Sequence, residues 1–329
     1  MKDRQVPIIT LMLLSPLTAE LLSGSSPPLE FFFPLSFLFL VALYGGGVLI
    51  IRELAVKWQK GWPSILLMGA AYGIFEEGLV VKSFFDPNWM DLGILGDYGR
   101  WAGVNWVWTV WLTIFHGIVS IAVPIILFNL MFREHKKERL LSDVQLLIPG
   151  LVLVFISGLG VLAFPYFPEG HLSSLAILVV VLFVFAAYEF PGDWPKMKSR
   201  APILPPIYFF AFGSLFMFFS FVIVYGLPES GVPPLTVIVL HSLLCLGILF
   251  ALINSAGRGY NERALFALAA GTLAPLIFLT FIHEANGMLG MSAVGISYIV
   301  YFFLLMIKVW REAPEATARK IPISRGKRL

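Results

Sequence analysis

Residues 104–131 read VNWVWTVWLTIFHGIVSIAVPIILFNLM, a run of 28 residues without one Asp, Glu, Lys or Arg. A helix needs about 20 mostly apolar residues to cross the hydrocarbon core of a bilayer, and this run exceeds that length. A strand of a membrane β-barrel needs only about 9–11 residues. The stretch therefore predicts a membrane-spanning helix, and it decides the fold class.

The rest of the 329-residue chain has the same character. It is 58% hydrophobic and only 13% charged, whereas an ordinary soluble domain has roughly 25% charged residues. A soluble fold is excluded, and the single Cys245 excludes a disulfide framework or a cysteine zinc site. Backbone groups in hydrocarbon must be hydrogen-bonded internally, so the spans are predicted to be helical. The apolar windows lie at residues 5–23, 31–51, 62–83, 104–131, 145–164, 171–190, 206–226, 235–254, 264–282 and 288–308.

We therefore predict an all-α polytopic membrane protein of about ten transmembrane helices, with residues 1–329 forming one integral membrane domain. Of the 23 Lys and Arg residues, all except Lys82 and Arg100 fall on one side of these spans. The positive-inside rule then places both termini in the cytoplasm and residues 309–329 in a basic cytoplasmic tail. We expect a multi-pass protein of the cell membrane that contacts lipid and binds no nucleic acid, while its oligomeric state stays open.

One connection differs from the short Pro- and Gly-rich hairpins. Residues 84–103, FFDPNWMDLGILGDYGRWAG, combine three aspartates with several aromatic residues and lie outside on this topology. Such a loop suits a lid, a partner surface or an interfacial anchor. Its acidic residues do not have EF-hand spacing, so no metal is predicted there. The predicted gating residues in and beside the loop are Lys82, Asp86, Trp89 and Arg100.

Ionisable groups inside a span are expensive and mark functional sites. In the third span, Glu76 and Glu77 lie about seven residues from the outer end, roughly 10 Å deep at 1.5 Å per residue. Low dielectric and mutual repulsion favour proton exchange at one of the two carboxyls. Tyr72 on the same helix is a candidate substrate contact. The alternative is a structural ion pair of a glutamate with Lys82 or Arg100.

The fourth span carries a polar stripe at steps of four, four, three and four residues. A histidine in this stripe lies at a depth similar to that of Glu76 and Glu77, so we predict that the three side chains converge. Packing against another helix is the alternative role for that histidine. In the eighth span, His241 is predicted to complete the same cavity. The stripe consists of Asn105, Thr109, Thr113, His116 and Ser120.

An EE pair followed by histidines in later spans resembles the type II CAAX endopeptidase (CPBP or Abi) family of intramembrane proteases, with its motifs EExxxR, FxxxH and HxxxN. Glu76 and Glu77 match the first motif, His116 the second and His241 the third. Lys82 comes one position after the arginine, Leu112 replaces the phenylalanine, and Cys245 occupies the asparagine position. The segment EEGLVVKSFFDPNW is also similar to that of uncharacterised prokaryotic polytopic membrane proteins, which implies no activity.

Three functional hypotheses follow. In a metal-independent, cofactor-free hydrolase, Glu76 or Glu77 would activate water, and His116 and His241 would polarise the carbonyl of a peptide or other acyl substrate. In a proton-coupled transporter of a small solute, one glutamate would change protonation as access alternates. In a non-catalytic membrane scaffold, the buried charges would only fix helix packing.

Overall fold

The computed structural model describes residues 4–192, 204–255 and 261–312, and these are almost entirely helical. Each predicted window contains one helix. In chain order the helices are α1 (Gln5–Leu21), α2 (Pro34–Lys57), α3 (Trp62–Phe75 continued by Glu76–Val80), α4 (Trp106–Met131), α5 (Asp143–Ala163), α6 (Gly170–Glu189), α7 (Pro206–Glu229), α8 (Pro234–Ser255), α9 (Glu262–Ala285) and α10 (Met291–Glu312). The strands in the described part of the chain are Arg100–Trp101 and Val104–Asn105, which form an antiparallel hairpin.

Eight of these helices, α2 and α4 to α10, are long and apolar enough to cross a membrane. Helix α1 is shorter, and α3 carries two glutamates. The all-α polytopic fold is confirmed, while the count of ten spans and the cytoplasmic termini stay predictions. Basic residues 196–200, Arg258 and the tail beyond residue 312 lie outside the described residues.

Helix α4 is the most enclosed of these eight helices, because 78% of its apolar window is buried by protein. The corresponding share is 11% for α5 and α8, whose apolar side chains are left to face lipid. Helices α7 and α9 pack so closely that neither Gly213 nor Gly271 has room for a Cβ atom. Small residues at such contacts are the usual way for membrane helices to approach each other.

Five helices contain a π-helical segment within the described residues: Leu17–Leu21, Val41–Gly45, Glu76–Val80, His116–Ala122 and Val222–Gly226. The segment in α4 precedes Pro124, which has no N–H to bond the carbonyl of Ser120. The hydroxyl of Ser15 donates to that carbonyl at 2.6 Å, and the hydroxyl of Thr18 donates to the carbonyl of Val119 at 3.0 Å. Helix α1 therefore supplies hydrogen-bond donors to two carbonyls of the π segment.

Residues 84–103 form a folded cap at the end of the bundle opposite Arg52 and Lys60. Leu92 and Leu95 are buried, and the Arg100 guanidinium donates to the carbonyls of Phe85, Asp86 and Gly96. Met90 and Trp101 project outward and are exposed, as expected for side chains that enter a membrane interface. That this cap is external stays a prediction.

Candidate functional site

Four helices meet at a cluster of ionisable side chains, which we call the Glu–His cluster. It consists of Glu20 from α1, Tyr44 from α2, Glu76 and Glu77 from α3, and His116 from α4. Each of these residues lies in a π-helical segment of its helix. Because π turns are rare and occur frequently at functional sites, their convergence here marks this cluster as the candidate site.

His116 lies between the two adjacent glutamates, as the sequence predicted. Its Nε2 is 3.0 Å from Oε1 of Glu77, and its Nδ1 is 3.3 Å from Oε2 of Glu76 and 2.9 Å from Oγ of Ser120. The exposed fractions of Glu76, Glu77 and His116 are 4%, 8% and 2%. An imidazolium in this place would donate from both nitrogens and neutralise one carboxylate, which limits the cost of burying the charges.

Glu77 has a further donor on its other oxygen. The hydroxyl of Ser83 donates to Oε2 of Glu77, and the indole N–H of Trp108 donates to the Ser83 oxygen at 3.0 Å. Both oxygens of Glu77 are therefore engaged. Ser83 and Trp108 did not emerge as site residues from the sequence, because neither side chain carries a charge.

Tyr44 joins two carboxyls that the sequence did not connect. Its hydroxyl oxygen is 2.5 Å from Oε1 of Glu20 and 2.6 Å from Oε1 of Glu76, while Ser26 donates to Oε2 of Glu20 at 2.8 Å. A phenol has one proton, and two hydrogen bonds need two. One of the two carboxyls must therefore carry a proton when both bonds form.

Tyr72 closes one side of the cluster. Its ring centroid is 5.9 Å from that of Tyr44 and 6.1 Å from that of His116. The tyrosine hydroxyl is buried without a hydrogen-bond partner, and Gly47 leaves no room for a Cβ atom against the ring. A Cβ atom at Gly73 would lie 2.9 Å from Cβ of His116. Gly47 and Gly73 are thus required for close packing around the site.

The carboxylate oxygens show where a ligand could bind. Of the four oxygens of Glu76 and Glu77, Oε2 of Glu76 is the one that has no hydrogen-bond partner. Ligand atoms of Glu76, Glu77 and His116 all lie within 4.8 Å of one another, so these residues could hold a metal ion. Two carboxylates and one imidazole suit Zn²⁺ or Mn²⁺. The sequence prediction assigned no metal to these three residues.

His241 does not join the cluster. Its Nε2 lies 3.1 Å from Oγ of Ser220, and its ring packs on Trp111 at 5.6 Å between centroids. The expectation that His241 faces the same cavity as Glu76 and Glu77 is corrected by these contacts. Trp111 and His241 pack together as aromatic neighbours on α4 and α8.

The polar stripe of α4 does not face one cavity. Asn105 caps the helix by accepting from the N–H of Trp108 at 3.1 Å, and Thr109 donates to the carbonyl of Asn105 at 2.7 Å. Thr113 lines an apolar cavity instead. Of the stripe, His116 and Ser120 reach the Glu–His cluster and lie in the π segment, whereas Asn105 caps the regular α-helical part before it and Thr109 and Thr113 belong to that part.

The predicted gating residues belong to the cap and its supports. Lys82 donates to the carbonyls of Val161 and Phe164, Asp86 accepts from the N–H of Asn88, and the ring of Trp89 packs against Phe164. Arg100 donates to carbonyls of the cap. The glutamates are paired with His116 and not with Lys82 or Arg100, so the alternative ion pair is wrong.

Asp91 in the cap supplies a pH-dependence prediction. Desolvation by the neighbouring groups, together with the negative charges of Glu20 and Glu77, raises the pKa of Asp91 from 3.8 to about 6, although the side chain itself is exposed. A carboxyl group whose pKa is higher in the folded than in the unfolded protein lowers the free energy of unfolding as the pH rises from the unfolded pKa to the folded pKa. We expect Asp91→Asn to have the same thermal stability as the parent below the unfolded pKa of Asp91. Above pH 6 the variant should be more stable than the parent. Thermal unfolding across this range, with Asp97→Asn as the control, tests the prediction; equal midpoints above pH 6 contradict it.

The comparisons with known proteins agree with the membrane fold. The model of a family described as an uncharacterized membrane protein family matches residues 9–325. No curated protein and no solved structure matches the chain. The matched range covers nearly the whole sequence, including the four helices that form the Glu–His cluster. The chain is a multi-pass membrane protein, and it belongs to this uncharacterized membrane protein family.

Proposed function

We propose that this protein is a proton-coupled transporter of a small solute and that the Glu–His cluster takes up and releases the coupling protons. The observation that carries the proposal is the continuous series of contacts from Glu20 through Tyr44, Glu76 and His116 to Glu77. Buried series of acidic and histidine residues inside membranes are typical of proton relays.

Oε2 of Glu76 is the proposed proton acceptor, because it is buried, has no hydrogen-bond partner and lies beside Nδ1 of His116. Glu20 is less buried than the other carboxyls and adjoins the cap, so it supplies the end that exchanges protons with water. Tyr44 can donate its hydroxyl proton to one carboxylate while it accepts the proton of the other carboxyl, so that one proton moves between Glu20 and Glu76 and the phenol stays neutral. A change of one proton would rearrange the hydrogen bonds that hold α1 to α4 together, which links protonation to conformation.

An intramembrane hydrolase is the second candidate. One observation favours it: the 3.0 Å contact between His116 and Glu77 has the spacing of a general base and its partner. This activity would use Glu76 or Glu77 to activate water and His116 to polarise a peptide carbonyl. It ranks second because three of the four carboxylate oxygens are already occupied by protein donors, and because His241 packs elsewhere.

Infrared titration of the purified protein tests the relay without a known solute. We expect a protonated-carboxyl band that disappears at alkaline pH and that is lost in Glu76→Gln and altered in Tyr44→Phe. Glu169→Gln, at an exposed position, is the matched control and should leave the band unchanged. A pH-dependent band that is the same in Glu76→Gln and in the parent would refute the relay.

Proteoliposomes with an internal pH indicator separate transport from hydrolysis. Candidate solutes are screened by class: amino acids, sugars, dipeptides and organic cations. We expect one class to dissipate an imposed pH gradient with the parent protein and not with Glu76→Gln. Cleavage of a quenched fluorescent peptide that is lost in Glu77→Gln, without any solute-dependent proton movement, supports the hydrolase and overturns the transporter.

A further inference from the structure

Two neighbouring cavities lie away from the Glu–His cluster, and their linings have opposite character. The first, of about 190 Å³, lies between the end of α2, the start of α3 and the end of α4. The second, of about 430 Å³, extends between α3, α4 and helices α6 to α9. Trp62 lines both cavities, and the consecutive residues Ile125 and Ile126 line one each. The two cavities therefore adjoin.

The smaller cavity is basic. Arg52, Lys60, Lys136 and Lys137 line it, with no Asp or Glu among its lining residues. Arg52 is only 2% exposed, and its Nε–H has no hydrogen-bond partner. Buried donors are normally satisfied, so this N–H indicates a missing acceptor. Oδ1 of Asn129 is also buried without a partner and could accept from a hydroxyl of the same ligand.

The larger cavity is apolar. Its lining is almost entirely aliphatic, aromatic or glycine, with Thr113, Cys245 and Thr272 as the exceptions. It is large enough for a bound molecule, since ligand sites typically measure about 300–1,000 Å³. Leu249, at the margin on the poorly buried helix α8, is 41% exposed. A hydrocarbon chain could reach the cavity from the lipid on that side.

We propose that the paired cavities bind an anionic phospholipid, with its phosphate at Arg52, Lys136 and Lys137 and an acyl chain between α4 and α8. Basic pockets between membrane helices are known to hold anionic lipid headgroups. The charge of the first cavity selects the phosphate, and the apolar lining of the second selects the chain. This site uses none of the residues of the Glu–His cluster.

Thermal unfolding of delipidated protein in detergent, with added lipid, tests the proposal. Phosphatidylglycerol is expected to raise the unfolding midpoint and phosphatidylcholine to raise it far less. At about 1 kcal/mol for each lysine, the double variant Lys136→Gln/Lys137→Gln should bind phosphatidylglycerol about 30-fold more weakly. Lys57→Gln, a basic residue at the same end of the bundle but outside the cavity lining, is the control and should bind as the parent does.

A second variant tests the apolar cavity, which is proposed to hold the acyl chain. Ile248→Trp fills the apolar cavity from α8 and should weaken phosphatidylglycerol binding without removing a charge. Glycerol phosphate and inorganic phosphate, which have no chain, should give little stabilisation. If either soluble phosphate binds as well as the lipid, or if Ile248→Trp binds the lipid normally, then the ligand is not a lipid. Equal binding of the two phospholipids by the parent overturns the basic headgroup site.

Discussion

Replacement of His116 by alanine is expected to lower the free energy of unfolding by about 3–5 kcal/mol, because it removes one partner of a buried charged group. Glu77 would lose the donor to its Oε1, and Ser120 would lose its contact with Nδ1. Two buried carboxyls would then adjoin each other with no cationic neighbour between them. Denaturant titration in mixed micelles, followed by tryptophan fluorescence, measures the loss.

Two further variants make this result specific. His171→Ala removes an exposed histidine beside Glu169 and should change the free energy of unfolding by no more than about 0.5 kcal/mol. The double variant His116→Leu/Glu77→Leu replaces the charged contact with apolar groups and should recover part of the lost stability. If His116→Ala is as mild as His171→Ala, the cluster does not hold the helices together, and the relay geometry loses its basis.

The sequence predicted the convergence of Glu76, Glu77 and His116 because α3 and α4 are consecutive spans, and consecutive elements usually lie next to each other in space. The depth of a residue along a helix follows from its number alone, and the predicted depths of the glutamate pair and of His116 agreed. Tyr44 and Glu20 could not be found in this way. Their approach depends on how α1 and α2 are rotated about their axes, and residue spacing does not fix that rotation.

The polar stripe of α4 predicted one cavity for residues that contact different parts of the protein. A stripe of polar residues predicts one face only while the helix keeps 3.6 residues per turn. Asn105 caps the regular part of the helix, and Thr109 and Thr113 lie in it, but Asn105 and His116 are 11 residues, about 16 Å, apart along the axis, and Thr113 lines the apolar cavity. Pro124 is the local sequence signal for the π segment, but a proline near the end of a span also occurs in ordinary helices. His241 was misplaced for another reason: its ring packs against the bulky side chain of Trp111, and its Nε2 contacts Ser220 on α7.

Glu53 at the end of α2 gives the second large expected effect. Glu53 forms a salt bridge with Arg52, and the structure buries both side chains, with exposed fractions of 0% for Glu53 and 2% for Arg52. Glu53 also accepts from the backbone N–H groups of Leu140 and Leu141, each at 3.1 Å. One carboxylate thus fixes the connection between α4 and α5 against α2.

Glu53→Ala is therefore expected to lower the free energy of unfolding by about 3–5 kcal/mol, since it leaves the Arg52 guanidinium buried without its carboxylate. Each orphaned N–H adds a cost of about 1–3 kcal/mol unless water reaches it. Denaturant titration in mixed micelles again gives the value, and hydrogen exchange should show faster exchange at Leu140 and Leu141.

Asp143→Asn is the matched control, because Asp143 also contacts two basic side chains, Lys57 and Arg139, each at 2.8 Å, but lies exposed. Its ion pairs are open to solvent and screened by salt, so the substitution should cost no more than about 1 kcal/mol. The difference in stability loss between the two variants then comes from burial and not from the number of ion pairs. Equal losses from Glu53→Ala and Asp143→Asn would show that water reaches Arg52 and Glu53, and that this end of the bundle is open.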